Sequence, residues 1–391
     1  MNDLADALSA LKVGDFQARW EVAKQIEGYG EVVLQPLLLL LADADGELQW
    51  FIAKLLGAYA HPEALLALVN LLETTEEEEV AVIAAQSLAG MGVAAIAPLA
   101  PYLDDPQKAA IAIRALAQME QPDVVPLLLQ AAQSPWPEVR QGSLEALDRF
   151  QGSAIVPVLM AGLADPSPGV RQAAIAGLAT RPNQIPVAEL VDRIAPCLDD
   201  PYGEVADQAA RALGRLATES AAIALAEKGI QSTPEAALQT TLIQALGWIG
   251  TPPALKGLIQ IWDVLSHQSP LPERLLHDVL ASMARISDSV AQADATQTLM
   301  VWMRSPILQA SAPLRSATVL AVGRLAQPET IPDWIDWLAD PDYGVRLHVI
   351  AALKQVAADQ AYRELVRRAQ APTTDPVLAE GWAIAMREWS V

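Results

Sequence analysis

The chain has 391 residues, of which 52% are hydrophobic and only 5% aromatic; length alone would suggest two or three domains with a large buried core. Lysine and arginine number 26 against 47 aspartates and glutamates, a formal charge of −21, so the surface repels phosphate backbones and anionic lipid and argues against generic nucleic-acid binding. The single cysteine, Cys197, leaves no disulfide within the chain, which fits a reducing compartment.

In chain order, the first residues carry neither a basic n-region nor an apolar h-region, so no secretory signal is visible. Leu4 to Leu11 reads as a short helix that covers the first repeat. Next comes a helix with Ala18, Trp20, Lys24 and Ile26. Val32 to Ala42 is the most apolar run, but Gln35 and Pro36 interrupt it and it is too short to span a bilayer. Its Leu37, Leu38 and Leu41 keep helical spacing. No integral membrane segment and a cytoplasmic location are expected. A second helix then carries Leu48, Trp50, Lys54 and Leu56. The acidic run Glu76 to Glu79 precedes a helix near Val80 and suits a helix start.

From here the same grammar returns. An apolar helix meets an Asp/Pro turn, a second Ala-rich helix comes next, and a Gly- or Pro-bearing turn ends it. Leu163-Ala-Asp-Pro-Ser-Pro-Gly-Val-Arg171 recurs as Leu338-Ala-Asp-Pro-Asp-Tyr-Gly-Val-Arg346, with Leu198-Asp-Asp-Pro-Tyr-Gly-Glu-Val205 between them. Asp supplies an acceptor for free N–H groups at the helix start, and Pro suits the first turn. The closing apolar residue of each second helix serves as a register mark. It falls at Ile26, Leu56, Leu88, Leu116, Leu147, Leu178, Leu213, Leu246, Leu280, Val322 and Leu353, in steps of 30, 32, 28, 31, 31, 35, 33, 34, 42 and 31. Such a period predicts stacked helical hairpins, none of which buries its apolar face alone. The step of 42 predicts a longer helix or loop near Ser287 to Thr298. Tyr362 to Ala369 and Val377 to Trp389 read as a closing hairpin. The expected organisation is one all-α solenoid of about 10–11 hairpins, with repeats over 13–357, an N-terminal capping helix over 1–12 and capping helices over 358–391.

The residues Leu-Ala-Asp-Pro…Gly-Val-Arg and Ala-Leu-Gly-Arg-Leu resemble HEAT repeats of the phycobilisome-lyase-like type, a subtype frequent in cyanobacteria. The resemblance covers about Val13 to Ala357. It implies a curved superhelix with second helices on the concave side, and a role either as a scaffold or assembly factor or as a subunit of a lyase that attaches bilins to phycobiliproteins. It also implies that Asp165/Arg171 and Asp340/Arg346 belong to a ladder between inter-helix turns rather than to a catalytic pair.

Little in the chain suggests catalysis. The four histidines, His61, His267, His277 and His348, lack metal-site spacing. Cys197 has no evident partner and reads as a buried, inert thiol. Gly28-Tyr-Gly30 follows a helix, not a strand, so it is no nucleotide signature. No catalytic residue, cofactor or metal is expected.

The informative constellation is aromatic. With second helices aligned on their marks, Trp20 and Trp50 share one position, about 175° from the apolar stripe at 100° per residue. Lys24 and Lys54 share another, one turn on, and Val82 continues the tryptophan row. Elsewhere that position holds Gln141, Gln172, Asp207, Thr240, Arg274 and Ser316. Two tryptophans flanked by lysines should therefore stand side by side on the concave face. Exposed Trp is costly in solubility and enriched at binding hot spots, so Trp20, Lys24, Trp50, Lys54 and Val82 form the expected partner-binding set. The expected partner is a client protein; under the lyase alternative the same groove holds a tetrapyrrole, its propionates facing the lysines. Trp334 reads as core, and Trp136, between Pro135 and Pro137, as a turn residue.

Overall fold

The computed structural model describes residues 2–105, 108–119, 121–231, 236–371, 373 and 375–389. Met1, with which the expected capping helix begins, and residues 372, 374, 390 and 391 of the expected C-terminal cap lie outside the described residues. Among the described residues there is no strand, and no helix is long and apolar enough to cross a membrane. The fold is an α-solenoid of helical hairpins, and the chain divides into two compact units, 1–184 and 185–391.

The first unit pairs α1 (Asn2–Val13) with α2 (Phe16–Glu27), α3 (Leu34–Leu41) with α4 (Gly46–Leu56), and α5 (Pro62–Thr74) with α6 (Glu78–Gly90). Then α7 (Ile96–Leu99), prolonged by a 3-10 turn over Ala100–Asp104, pairs with α8 (Ala109–Gln118). The pairs α9 (Val125–Ala131) with α10 (Pro137–Leu147) and α11 (Ile155–Gly162) with α12 (Pro168–Ala179) complete it. The first helix does more than cover the stack: α1 packs along α2 and is the first helix of the first hairpin.

In the second unit α13 (Val187–Ile194), prolonged over Ala195–Asp199, pairs with α14 (Gly203–Leu216), α15 (Glu219–Ile230) with α16 (Ala236–Ile249), and α17 (Pro252–Ser266) with α18 (Glu273–Met283). The long step resolves into α19 (Ser289–Met303), longer than most first helices, and a short α20 (Pro306–Ala310) before α21 (Ala312–Leu325). Next, α22 (Ile331–Trp334), prolonged over Ile335–Ala339, meets the start of α23 (Tyr343–Gln370). Ala357, at φ −166° and ψ 89°, interrupts α23, and its second part pairs with α24 (Pro376–Glu388).

All eleven register marks are fully buried. The core is therefore a row of Leu, Ile and Val from second helices, meeting first-helix residues such as Leu37, Leu68, Leu99, Leu128 and Leu159. One mark is displaced. Where second helices touch closely, a glycine just past one mark faces the residue just before the next. A Cβ on Gly57 would lie 2.6 Å from Ser87 Cβ, one on Gly214 3.0 Å from Ala245 Cβ, and one on Gly323 2.6 Å from Ala352 Cβ. For Gly247 that neighbour is Ser282, at 2.8 Å, so the equivalent of Leu280 is Met283. The steps become 37 and 39, and His277 replaces Arg274 as the counterpart of Trp20. Both Leu280 and Met283 are fully buried, because a helix face holds apolar residues three apart; sequence periodicity could not choose between them.

The ladder runs through the turns. Arg140 pairs with both oxygens of Asp165 at 2.7 and 2.8 Å while donating to the carbonyls of Ser134 and Pro135. Arg315 pairs with both oxygens of Asp340 at 2.7 and 3.1 Å and donates to the carbonyls of Leu308 and Gln309. Arg171 and Arg346 bind the carbonyls of their own turns, at Asp165 and Asp340. Each arginine thus closes its own hairpin turn, and Arg140 and Arg315 also reach the aspartate of the next.

Candidate functional site

Trp20 and Trp50 sit on α2 and α4 because both helices begin alike. Asp15 accepts from the Ala18 amide at 2.9 Å and Asp45 from the Leu48 amide at 2.7 Å, each capping a helix start, and each tryptophan follows its cap by five residues. The ladder ties the two helices together. Arg19, buried between them, reaches Asp45 at 3.2 Å, Glu47 at 2.8 Å and the Lys12 carbonyl at 3.3 Å. The hydrogen bond donated by the Leu48 amide, and after it those from the Arg19 guanidinium, hold the Asp45 carboxyl below its ordinary value.

The two indoles lie side by side, centroids 6.4 Å apart and planes inclined by 26°. Two phenylalanines extend the cluster. Phe16 stacks on Trp20 at 6.1 Å and reaches Phe51 at 5.2 Å, and Phe51 meets both indoles edge-on at 5.1 and 6.3 Å. Lys54 lays its ammonium 4.1 Å from the Trp20 centroid and 5.5 Å from that of Trp50, a cation–π arrangement. Lys24 lies 6.0 Å from the Trp20 ring and 3.5 Å from Glu21.

The structure therefore brings Trp20, Lys24, Trp50 and Lys54 together. Val82 is on α6 in the next hairpin and is part-buried. In one respect the expectation of fully outward indoles is corrected: both tryptophans are part-buried. Spacing around one helix axis takes no account of the next helix, whereas each indole packs against rings of the adjacent helix and under the Lys54 ammonium. Phe16, 52% exposed, is the most open ring of the cluster, and Phe51 is its fully buried floor. The sequence reading missed both, although Phe16 precedes Trp20 by four residues, the spacing that brings helix neighbours face to face.

The remaining candidates resolve individually. Trp334 is fully buried, Trp136 is 43% exposed in its turn, and Trp248 is 50% exposed. Trp262 and Trp302 stack at 4.2 Å. His61 caps α5 by accepting from the Glu63 amide, and His267 lies 2.6 Å from the Asp263 carbonyl. Cys197 is part-buried rather than buried. Among the described residues, no three His, Cys, Asp or Glu side chains converge as a metal site would need.

A family model described as HEAT repeats matches residues 34–111, 96–179, 156–247, 191–266 and 296–385. No curated protein matches the sequence. Similar solved structures include importin beta, at 12% identity and a TM-score of 0.60, covering 99% of this chain and 61% of that one. Kap95 in its complex with Nup1 gives 14%, 0.65, 100% and 61%, and a Kap121p mutant 16%, 0.55, 100% and 44%. The chain thus spans about three-fifths or less of the length of these structures, and at such identities the likeness is one of fold.

Proposed function

The chain belongs to the HEAT-repeat family, and from that premise we propose that it is a non-enzymatic scaffold or assembly factor that holds a client protein on the second-helix face around Trp20 and Trp50. The observation that carries this reading is the ring cluster itself. Four aromatic side chains converge on two adjacent helices of a chain with few aromatics, three of them still partly open to solvent although Ile26, Leu48, Phe51 and Leu56 of the same two helices are buried. Partly exposed indoles backed by a rigid floor are the usual anatomy of a protein-binding hot spot, and solenoids offer continuous surfaces for such contacts. Kap95, a fold neighbour, occurs in complex with Nup1, a protein partner held on a related architecture. Val82 extends the proposed contact to the third hairpin, residues 1–12 and 358–391 are taken to cover the ends of the repeat stack, the single cysteine fits the proposed cytoplasmic location, and the acidic surface fits a chain without nucleic-acid partners.

A link to a photosynthetic or phycobilisome complex rests on the resemblance of the repeats alone. A second reading, a bilin lyase or lyase subunit, uses the same paired indoles and lysines to hold a linear tetrapyrrole. One experiment separates the two. Tagged wild-type chain and a Trp20→Glu/Trp50→Glu double variant are incubated with lysate of the source organism, and eluates are read by mass spectrometry and visible absorbance. A protein retained by wild type and lost from the still-folded variant supports the scaffold; bilin absorbance lost in the same way supports the lyase; retention of every partner by the variant removes this face from consideration.

A further inference from the structure

Lys54 differs from every other cation withdrawn from the surface. Among the described residues, each other lysine or arginine that is at least part-buried has an oxygen partner. Arg19 has Asp45 and Glu47, Arg140 has Asp165, Lys228 has Asp199, and Arg315 has Asp340. Even Lys108 reaches the Glu73 carbonyl. Lys54 is part-buried, yet among the described residues its ammonium meets the faces of Trp20 and Trp50 and no oxygen. Asp45 and Glu47 stand at the opposite end of α4 from Lys54 and pair with Arg19, and Glu21 on α2 pairs with Lys24. An ammonium set against two indoles has lost part of its water and gained only ring quadrupoles. The missing complement is an anion, and the place for it is on the open side of the cluster.

We propose that the client segment recognised at this face carries an acidic residue beside a large apolar one, the carboxylate pairing with the Lys54 ammonium while the apolar side chain packs on Phe16 and Trp20. This inference rests on the scaffold reading and specifies its partner. Phe16, the most exposed ring of the cluster, gives the apolar neighbour a surface to cover. A carboxylate arriving there meets its counter-ion in a partly dehydrated, ring-lined setting, where charge pairs are stronger than on open surface. Lys24, at the same position on α2, is already paired with Glu21, so Lys54 is the cation of the cluster that a partner meets, whereas the overall charge of −21 disfavours polyacidic segments. The segment selected is therefore one with a single acidic residue in an apolar context.

The test is peptide display. Random 12-residue peptides are selected on immobilised full-length chain, and the survivors are rescreened on Trp20→Ala, Lys54→Gln, Lys54→Arg and Lys54→Glu variants whose helicity and melting match wild type. Peptides that depend on Trp20 should be enriched in Asp or Glu next to a large apolar residue. They should weaken about tenfold on Lys54→Gln, a loss of one surface-shielded ion pair, recover on Lys54→Arg, and give way to Lys- or Arg-bearing peptides when selection is repeated on Lys54→Glu. Trp20-dependent peptides without acidic enrichment, or indifferent to Lys54→Gln, would overturn the inference and leave the scaffold reading intact. Absence of any Trp20-dependent peptide would remove both. Biliverdin bound by wild type and released by Lys54→Gln, with no acidic peptides selected, would transfer the anion from a protein segment to a pigment propionate and overturn the assignment.

Discussion

Individual residues here divide into those that hold hairpins together and those that face outward. Arg19, Arg140 and Arg315 are withdrawn from solvent and direct their donors to carboxylates and to carbonyls in or beside the hairpin turns. The Asp165 carboxyl is held below its ordinary value of 3.8, chiefly by the hydrogen bonds from Arg140 and further by the Ser167 amide, against an opposing effect of burial. A folded-state value below the unfolded one stabilises the fold above the unfolded value, and that contribution disappears as pH falls through the folded value. Stability measured by urea denaturation should therefore be insensitive to this group from pH 7 to about 5 and decline below about 4. An Asp165→Asn variant should be less stable at neutral pH, with the gap to wild type narrowing in acid. A gap that stays constant down to pH 2 would mean that the pair contributes nothing through its charge.

At the level of helices, spacing is set by the residues at the closest approach. Gly57, Gly214, Gly247 and Gly323 each stand one residue beyond a buried mark and face a Ser or Ala of the following second helix. With no side chain on one helix and a small one on the other, the backbones come close enough for the marks to interlock. Alanine is the better helix former by about 1 kcal/mol, so Gly247→Ala would stabilise an isolated helix. In the protein the added methyl meets Ser282 Cβ at 2.8 Å and its backbone carbonyl oxygen at 3.1 Å, and overpacking of this kind costs about 1–3 kcal/mol. A lower thermal midpoint for Gly247→Ala is expected. A higher one would show that α16 and α18 separate at no cost. The same contact carries the correction of Leu280 to Met283.

For the molecule as a whole, hairpins contact chiefly their neighbours, so damage should stay local. Asp340→Ala leaves the Arg315 guanidinium, 7% exposed in the side chain, without its carboxylate, and stranding a buried charge costs about 3–5 kcal/mol. Hydrogen exchange read by mass spectrometry should accelerate in α21 and the first part of α23 and remain at wild-type rates in α2 to α8. Acceleration across both units would indicate a single cooperative unit instead of a repeat array. The acidic surface acts at this scale too. It sets which partners approach from a distance, whereas the Trp20–Trp50 cluster sets what is held at contact.

The repeat is legible in the amino-acid order, because a period of apolar residues with Asp/Pro turns between them leaves few alternatives to stacked hairpins, and the eleven marks from Ile26 to Leu353 are all buried in the core. The same order also pairs Trp20 with Trp50 and Lys24 with Lys54, since equal distance from equivalent caps places residues on equivalent faces of neighbouring helices. How far those indoles turn inward, the presence of Phe16 and Phe51 beside them, the lack of an oxygen partner for Lys54 among the described residues, and Met283 rather than Leu280 as the closing residue of α18 follow from helix packing. The physical reason is common to all four. Periodicity gives a direction around one helix axis, while burial, ring contacts and ion pairing depend on how closely the next helix approaches, and that distance is set by side-chain volumes contributed from both.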